Sequence, residues 1–207
     1  MSYLLHHPDE VARRTLQHLE IVAIALSIAF VLALPLGVLA ARNARVRGPL
    51  LGVLNAIYTL PSLAVFAFLV TYFGLGLVTT EIALVAYAQM VLVRNISVGL
   101  LGVPAALREA ALGLGMTPLQ AFLRVELPQA LPVILSGVRL ATVATISIAT
   151  LAGKIDAGGL GALLFAGLDN DDPNRIFAGS AAAAALAIGA DGALRGLERF
   201  AALRARG

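Results

Sequence analysis

The residue types that ordinarily do chemistry are present in this chain, but most sit where catalysis would be hard to assemble. There is no Gly-x-x-x-x-Gly-Lys followed by Ser or Thr, so the chain cannot cradle nucleotide phosphates by that route. A His-Glu-x-x-His zinc pattern and a nucleophile elbow are also missing. Gly158-Gly159-Leu160-Gly161 lacks the strand-to-helix context of a dinucleotide loop and reads as a tight turn before a short helix through Leu163-Leu164-Phe165. Asp169, Asp171 and Asp172 lack the glycine and terminal glutamate of a calcium loop, so they read as an acidic solvated loop and no metal site is assigned. Cysteine is absent, which removes disulfides and thiolate ligands and leaves the redox compartment open. Two arginines, Arg94 and Arg139, lie inside strongly apolar stretches, and a mixed-charge segment runs from Arg108-Glu109 to Arg124 and Glu126.

The elements that must position these residues follow from composition. With 59% hydrophobic and 13% charged residues, the chain lies far from the soluble norm of about 25% charged, which predicts an integral membrane protein. A helix needs about 20 mainly apolar residues to cross about 30 Å of hydrocarbon. Spans are expected at 19–41, 50–73, 82–101, 132–152 and 176–194, forming one membrane domain over 19–194. The flanks are an N-terminal extracytoplasmic or interfacial segment, 1–18, and a basic tail, 195–207. No small-residue cleavage site follows the first apolar run, so that run is expected to stay in the mature protein. The 15 basic against 12 acidic residues cluster beside spans, which reads as topology rather than as a nucleic-acid patch. Arg42, Arg45 and Arg47, then Arg108 and Arg124, then Arg195, Arg199, Arg204 and Arg206 mark cytoplasmic segments, placing the N-terminus outside and the C-terminus in the cytoplasm. Arg13 and Arg14 count against this orientation and are balanced by Asp9, Glu10 and Glu20.

Uncharged polar residues in the spans include Asn55, Gln89, Asn95, Thr142, Thr145, Ser147 and Thr150; such groups either face a passage or bond helix to helix. Pro35 reads as packing geometry. Pro61, between Thr59 and Ser62, has the better claim to line a pathway, because hydroxyls beside a kink can satisfy freed carbonyls. Arg94 and Arg139 lie toward the cytoplasmic ends of their spans, where snorkelling or capping of carbonyls competes with a place at the inner mouth of a passage. The run from Ser180 to Ala185, with Gly189, provides small residues for close helix contact. No carboxylate sits in mid-membrane, which argues against a proton-coupled carrier.

Between the third and fourth spans, residues 102–131 predict two short helices. The first follows Pro104 and stops at Gly113 and Gly115. The second is capped by Thr117, with Pro118 in the first turn and Gln120 in capping-box position, and is expected to end near Leu127 because of Pro128. The product is a slim, mixed-charge protrusion. It fits insertion into a groove on another protein and equally fits an ordinary solvated hairpin; local physics leaves both open.

Glu109-Ala110-Ala111, three residues, Gly115, nine residues, Val125, one residue and Leu127-Pro128 resembles the EAA motif of permease subunits of bacterial ABC importers, with Val in the usual Ile position. His18-Leu19, the segment Ile57 to Leu63, Val93-Arg94-Asn95, Gly113 to Thr117 and Ala157 to Gly161 resemble permeases for the osmoprotectants glycine betaine, carnitine and choline, with methionine-type permeases the nearest rival. The resemblance implies an all-α membrane protein of five transmembrane helices with the type I importer permease fold and cytoplasmic coupling helices. It implies that Glu109, Ala110, Ala111, Gly115, Met116, Thr117, Val125, Leu127 and Pro128 form a loop seated on a cytoplasmic ABC ATPase subunit. It further implies a second permease copy or paralogue, an extracytoplasmic substrate-binding protein, a bacterial inner-membrane location, and ATP with Mg on the partner, with no cofactor on this chain. Candidates for the passage and its gates are Asn55, Thr59, Pro61, Ser62, Gln89, Arg94, Asn95, Arg139, Thr142, Gly158, Gly159 and Gly161. An ATP-independent carrier or channel is the runner-up.

Overall fold

The computed structural model describes residues 2–204, and those residues are helices joined by short turns. The order is α1 (Ser2–His6), α2 (Pro8–Arg42), α3 (Ala44–Thr59), α4 (Ser62–Phe73), α5 (Leu77–Leu101), α6 (Ala105–Gly113), α7 (Pro118–Ala121), α8 (Leu127–Leu151), α9 (Gly159–Asp169) and α10 (Pro173–Arg204). A π turn, Phe122–Glu126, joins α7 to α8, and a 3-10 turn, Ala152–Ile155, follows α8.

Small residues let the central helices approach closely. On α2 the buried residues Ala25, Ala29, Ala33, Gly37 and Ala40 recur at helical spacing and present a narrow stripe to α5. A Cβ added at Gly37 would lie 2.5 Å from Ile96 Cγ2, so the crossing depends on that glycine. The same device serves the other flank of α5, where Gly99 meets the Ala130 carbonyl and Gly137 meets Asn95 of α5. α5 is thus sandwiched between α2 and α8, with Leu84, Val93 and Ile96 buried at the seams.

Several expectations change. α2 is 35 residues long, about 50 Å at 1.5 Å per residue, and begins at Pro8, within the stretch read from sequence as an N-terminal flank. Tyr3 of α1 donates to Glu10 at 2.6 Å and accepts from Arg175 of α10 at 3.0 Å, tying the start of the chain to the last helix. Arg45 and Arg47 lie within α3, since only Asn43 separates it from α2. Stretch 50–73 is broken sharply at its proline: α3 and α4 diverge by 94° at Leu60-Pro61. The proline forces Leu60 into extended geometry (ψ 141°), and Tyr87 of α5 donates to the freed Leu60 carbonyl at 2.8 Å. Four helices are long and apolar enough to cross a membrane, five if this bent pair counts as one.

Pro128 does not end the second short helix. The Leu127 N–H reaches back to the Phe122 carbonyl, and this wider π turn carries the helix past the proline, so 118–155 runs on without a loop. On α10 the close contact falls at Gly179, where a Cβ would lie 3.0 Å from the Leu164 backbone nitrogen of α9. Ala181 to Ala185 are half-buried or exposed, and Gly189 has open space around it, so the small-residue run does not make the close packing expected of it within this chain.

Candidate coupling and passage sites

The protrusion is fixed by its own backbone chemistry. α6 ends in a paired turn, with Gly115 N–H donating to the Leu112 carbonyl at 3.0 Å and Met116 N–H to the Ala111 carbonyl at 3.1 Å. That pattern requires a left-handed residue between them, and Gly115 supplies it at φ +82°. Thr117 then opens α7 with both halves of a capping box: its hydroxyl accepts from Gln120 N–H at 3.3 Å, and Gln120 Oε1 accepts from Thr117 N–H at 2.9 Å. Ala111 and Ala121 are buried where the two short helices meet, while Glu109 and Ala110 stay exposed. Leu114 is 81% exposed and Leu119 66%, so the tip is apolar, a feature that motif reading passed over.

At the base, Val125 and Leu127 are half-buried and Pro128 is exposed. Glu126 between them is only 4% exposed and pairs with Arg42 of α2 at 2.7 Å. The Arg42 guanidinium also lies 6.0 Å from the centroid of the Phe122 ring. Arg47 donates to the carbonyls of Ala40 and Ala41, satisfying acceptors left open at the end of α2. Arg42 and Glu126 are 84 residues apart, so no local spacing could join them; their opposite charges at helix ends were the one available signal.

The passage candidates separate into groups. Asn55 and Thr59 share an exposed face of α3 one turn apart, and Pro61 is exposed at the bend. Thr59 donates to the Ala56 carbonyl at 2.9 Å, as expected of a hydroxyl beside a break, whereas Ser62 is half-buried at the start of α4. Tyr58 and Tyr87 meet edge to face across the same bend, centroids 6.2 Å apart. Arg94 is exposed on α5 and has no ion-pair partner among the described residues.

Other candidates are committed to structure. Gln89 donates from α5 to the Ala29 carbonyl of α2 at 3.1 Å. Thr142 bonds back to Val138 at 2.8 Å, and Asn95 bonds to Val91 at 2.8 Å while packing on Gly137. Arg139 pairs with Asp191 of α10 at 2.9 Å rather than with helix-end carbonyls, and lies 3.1 Å from Glu198, out of line for a hydrogen bond there. Arg195 completes the cluster on Asp191 at 2.9 Å.

Gly158, Gly159 and Gly161 seat α9. Gln17 accepts from the Gly159 N–H at 2.9 Å, and His18 Nδ1 accepts from the Leu160 N–H at 3.3 Å. The opposite ring nitrogen of His18 lies 3.1 Å from the Ile146 carbonyl of α8, so the fully buried ring bridges three helices as its neutral Nε2–H tautomer. Gly161 fits against Thr150, where a Cβ would fall 2.0 Å from the carbonyl oxygen.

A family model described as "Binding-protein-dependent transport system inner membrane component" matches residues 33–200. The chain is 39% identical over 199 residues to the choline transport system permease protein OpuBB of Bacillus subtilis (strain 168), covering 96% of this chain and 92% of that one. It is 38% identical over 203 residues to the osmoprotectant import permease protein OsmW of Salmonella typhimurium (strain LT2), covering 96% and 94%. Among solved structures it superposes on a chain of the inward-facing MetNI methionine ABC transporter with TM-score 0.82 at 21% identity, covering 92% and 95%. An amino acid ABC transporter crystallised with histidines gives TM-score 0.77 at 17% identity, covering 95% and 96%. The fold is therefore that of ABC importer permeases. The chain belongs to the family of binding-protein-dependent transport system inner membrane components, multi-pass membrane transport components rather than enzymes.

Proposed function

We propose that this chain is the permease subunit of an ATP-driven importer for quaternary-ammonium osmoprotectants, the class of glycine betaine, carnitine and choline. The observation that carries the reading is the protrusion: a turn locked by Gly115, a capped second helix and an exposed leucine tip, built to dock on a partner. The printed roles of the relatives supply the substrate class. The protrusion faces the cytoplasm and engages an ABC ATPase subunit that holds ATP and Mg; the N-terminus lies outside. Two permeases, copies or paralogues, enclose the passage, and an extracytoplasmic binding protein delivers substrate to it.

In this reading ATP closure of the ATPase pair draws the two protrusions together and rotates the packed spans, opening the outer side; hydrolysis resets the inward-open state. The chain has no Trp and few tyrosines, Tyr58, Tyr72 and Tyr87 among them, too sparse a set for an aromatic cage, so selectivity rests with the binding protein. A second reading, a methionine-type importer, has the fold likeness in its favour. The test is uptake into proteoliposomes containing this chain, its ATPase and its binding protein, with labelled choline, glycine betaine, carnitine and methionine. ATP-dependent uptake of the quaternary ammonium compounds is expected. Uptake of methionine alone would favour the second reading, and flux through the chain without ATP would identify a channel.

A further inference from the structure

The protrusion has few ways to move the membrane helices. α6 packs on α7 and the π turn, whereas a cleft of about 270 Å³ separates it from the ends of α2 and α5. Ala41, Arg42, Leu100, Leu101, Ala105 and Arg108 line that cleft, together with Glu126. Displacement of α6 passes to α5 along the chain, through Gly102, Val103 and Pro104, and to the rest of the bundle through α7 and the π turn. From there it continues directly into α8, because the helix is unbroken. The route to α2 combines the packing of α8 on α2 with the Arg42–Glu126 ion pair at the protrusion's base, backed by Arg42 over Phe122. Yet α2 is the helix packed most extensively on α5, and its other end holds α9 through Gln17 and His18.

We infer that Arg42 and Glu126 are positioning residues, a permanent joint that makes α2 move with the coupling protrusion. Glu126 is buried whereas Arg42 is exposed, so losing Arg42 would leave a buried carboxylate unpaired. The pair's directional geometry suits a rigid connection beside the apolar packing of Phe122 and Leu127. The π turn belongs to the same device, since the wider turn is the segment that carries Glu126 to face Arg42. Arg47 stiffens the opposite side by holding the last carbonyls of α2.

The proposal rests on the importer reading, and the experiment separates the two. The chain has no native cysteine, so Arg42→Cys/Glu126→Cys in the complete reconstituted transporter carries the only thiols of this subunit. Uptake per ATP hydrolysed is measured with the thiols reduced, then after bridging with a short reducible bis-methanethiosulfonate, then after reduction again. We expect the reduced variant, which lacks the joint, to lose about tenfold in this ratio, and bridging to restore it to within about twofold of wild type. Recovery in the same molecules shows that the loss was not misfolding. A reduced variant as efficient as wild type, or a bridged one that stays inactive, overturns the joint. Absence of ATP-driven uptake by the wild-type complex would instead overturn the importer reading.

Discussion

Glycines in the protrusion and in the turn that starts α9 meet opposite requirements. Gly115 has open space around its Cα, and what it supplies is a left-handed backbone at φ +82°. Gly161 has ordinary helical geometry, and what it supplies is room, since any Cβ would strike the Thr150 carbonyl 2.0 Å away. The first constraint is written into a few consecutive residues; the second exists only because α8, the 3-10 turn and α9 are pressed together. The protrusion's shape is set by bonds within a few consecutive residues, whereas the turn before α9 is set by contacts between helices.

The contrast is sharpest under substitution. Gly161→Ala places a methyl group into backbone atoms that cannot step aside, so a loss of about 3 kcal/mol or more is expected, at the upper end of overpacking costs. The check is thermal melting of purified protein in detergent, and an unchanged midpoint would show that α9 has slack the structure does not display. Gly115→Glu should do the reverse. Its local cost is about 1–2 kcal/mol for a side chain in left-handed geometry. The fold therefore survives, while uptake is abolished and ATP hydrolysis becomes uncoupled from substrate; wild-type uptake in that variant would refute the coupling assignment.

His18→Ala tests the α9 region from its tertiary side. It leaves the buried Leu160 N–H and the Ile146 carbonyl without partners, an expected cost of about 1–3 kcal/mol. Hydrogen exchange should accelerate in α9 and not in α6, and equal acceleration in both would erase the distinction between the regions. The smallest effect is expected from Thr117→Ala, about 1 kcal/mol for a lost N-cap. Exchange should then quicken in α7 alone, with uptake reduced only a few-fold.

The protrusion was legible because its signals are local. Pro104, Gly115, Thr117 and Gln120 each act through neighbours within a turn of themselves, and the expected caps are present. Pro128 misled because the rule for prolines assumes α geometry around it, and the π turn changes that geometry. Pro61 gave the position of the break but not its angle, which depends on Tyr87 of another helix receiving the freed carbonyl.

By itself the sequence determined that the chain is apolar enough to cross a membrane and the local shape of the protrusion. Those properties follow from transfer free energy and from backbone preferences a few residues long. Tertiary structure alone decided that Arg139 pairs with Asp191, that Glu126 faces Arg42, and that His18 holds α9 against α8. Each of those contacts joins residues more than fifty positions apart, where no periodicity or spacing reaches, and each exists because helix packing brings complementary polar groups together.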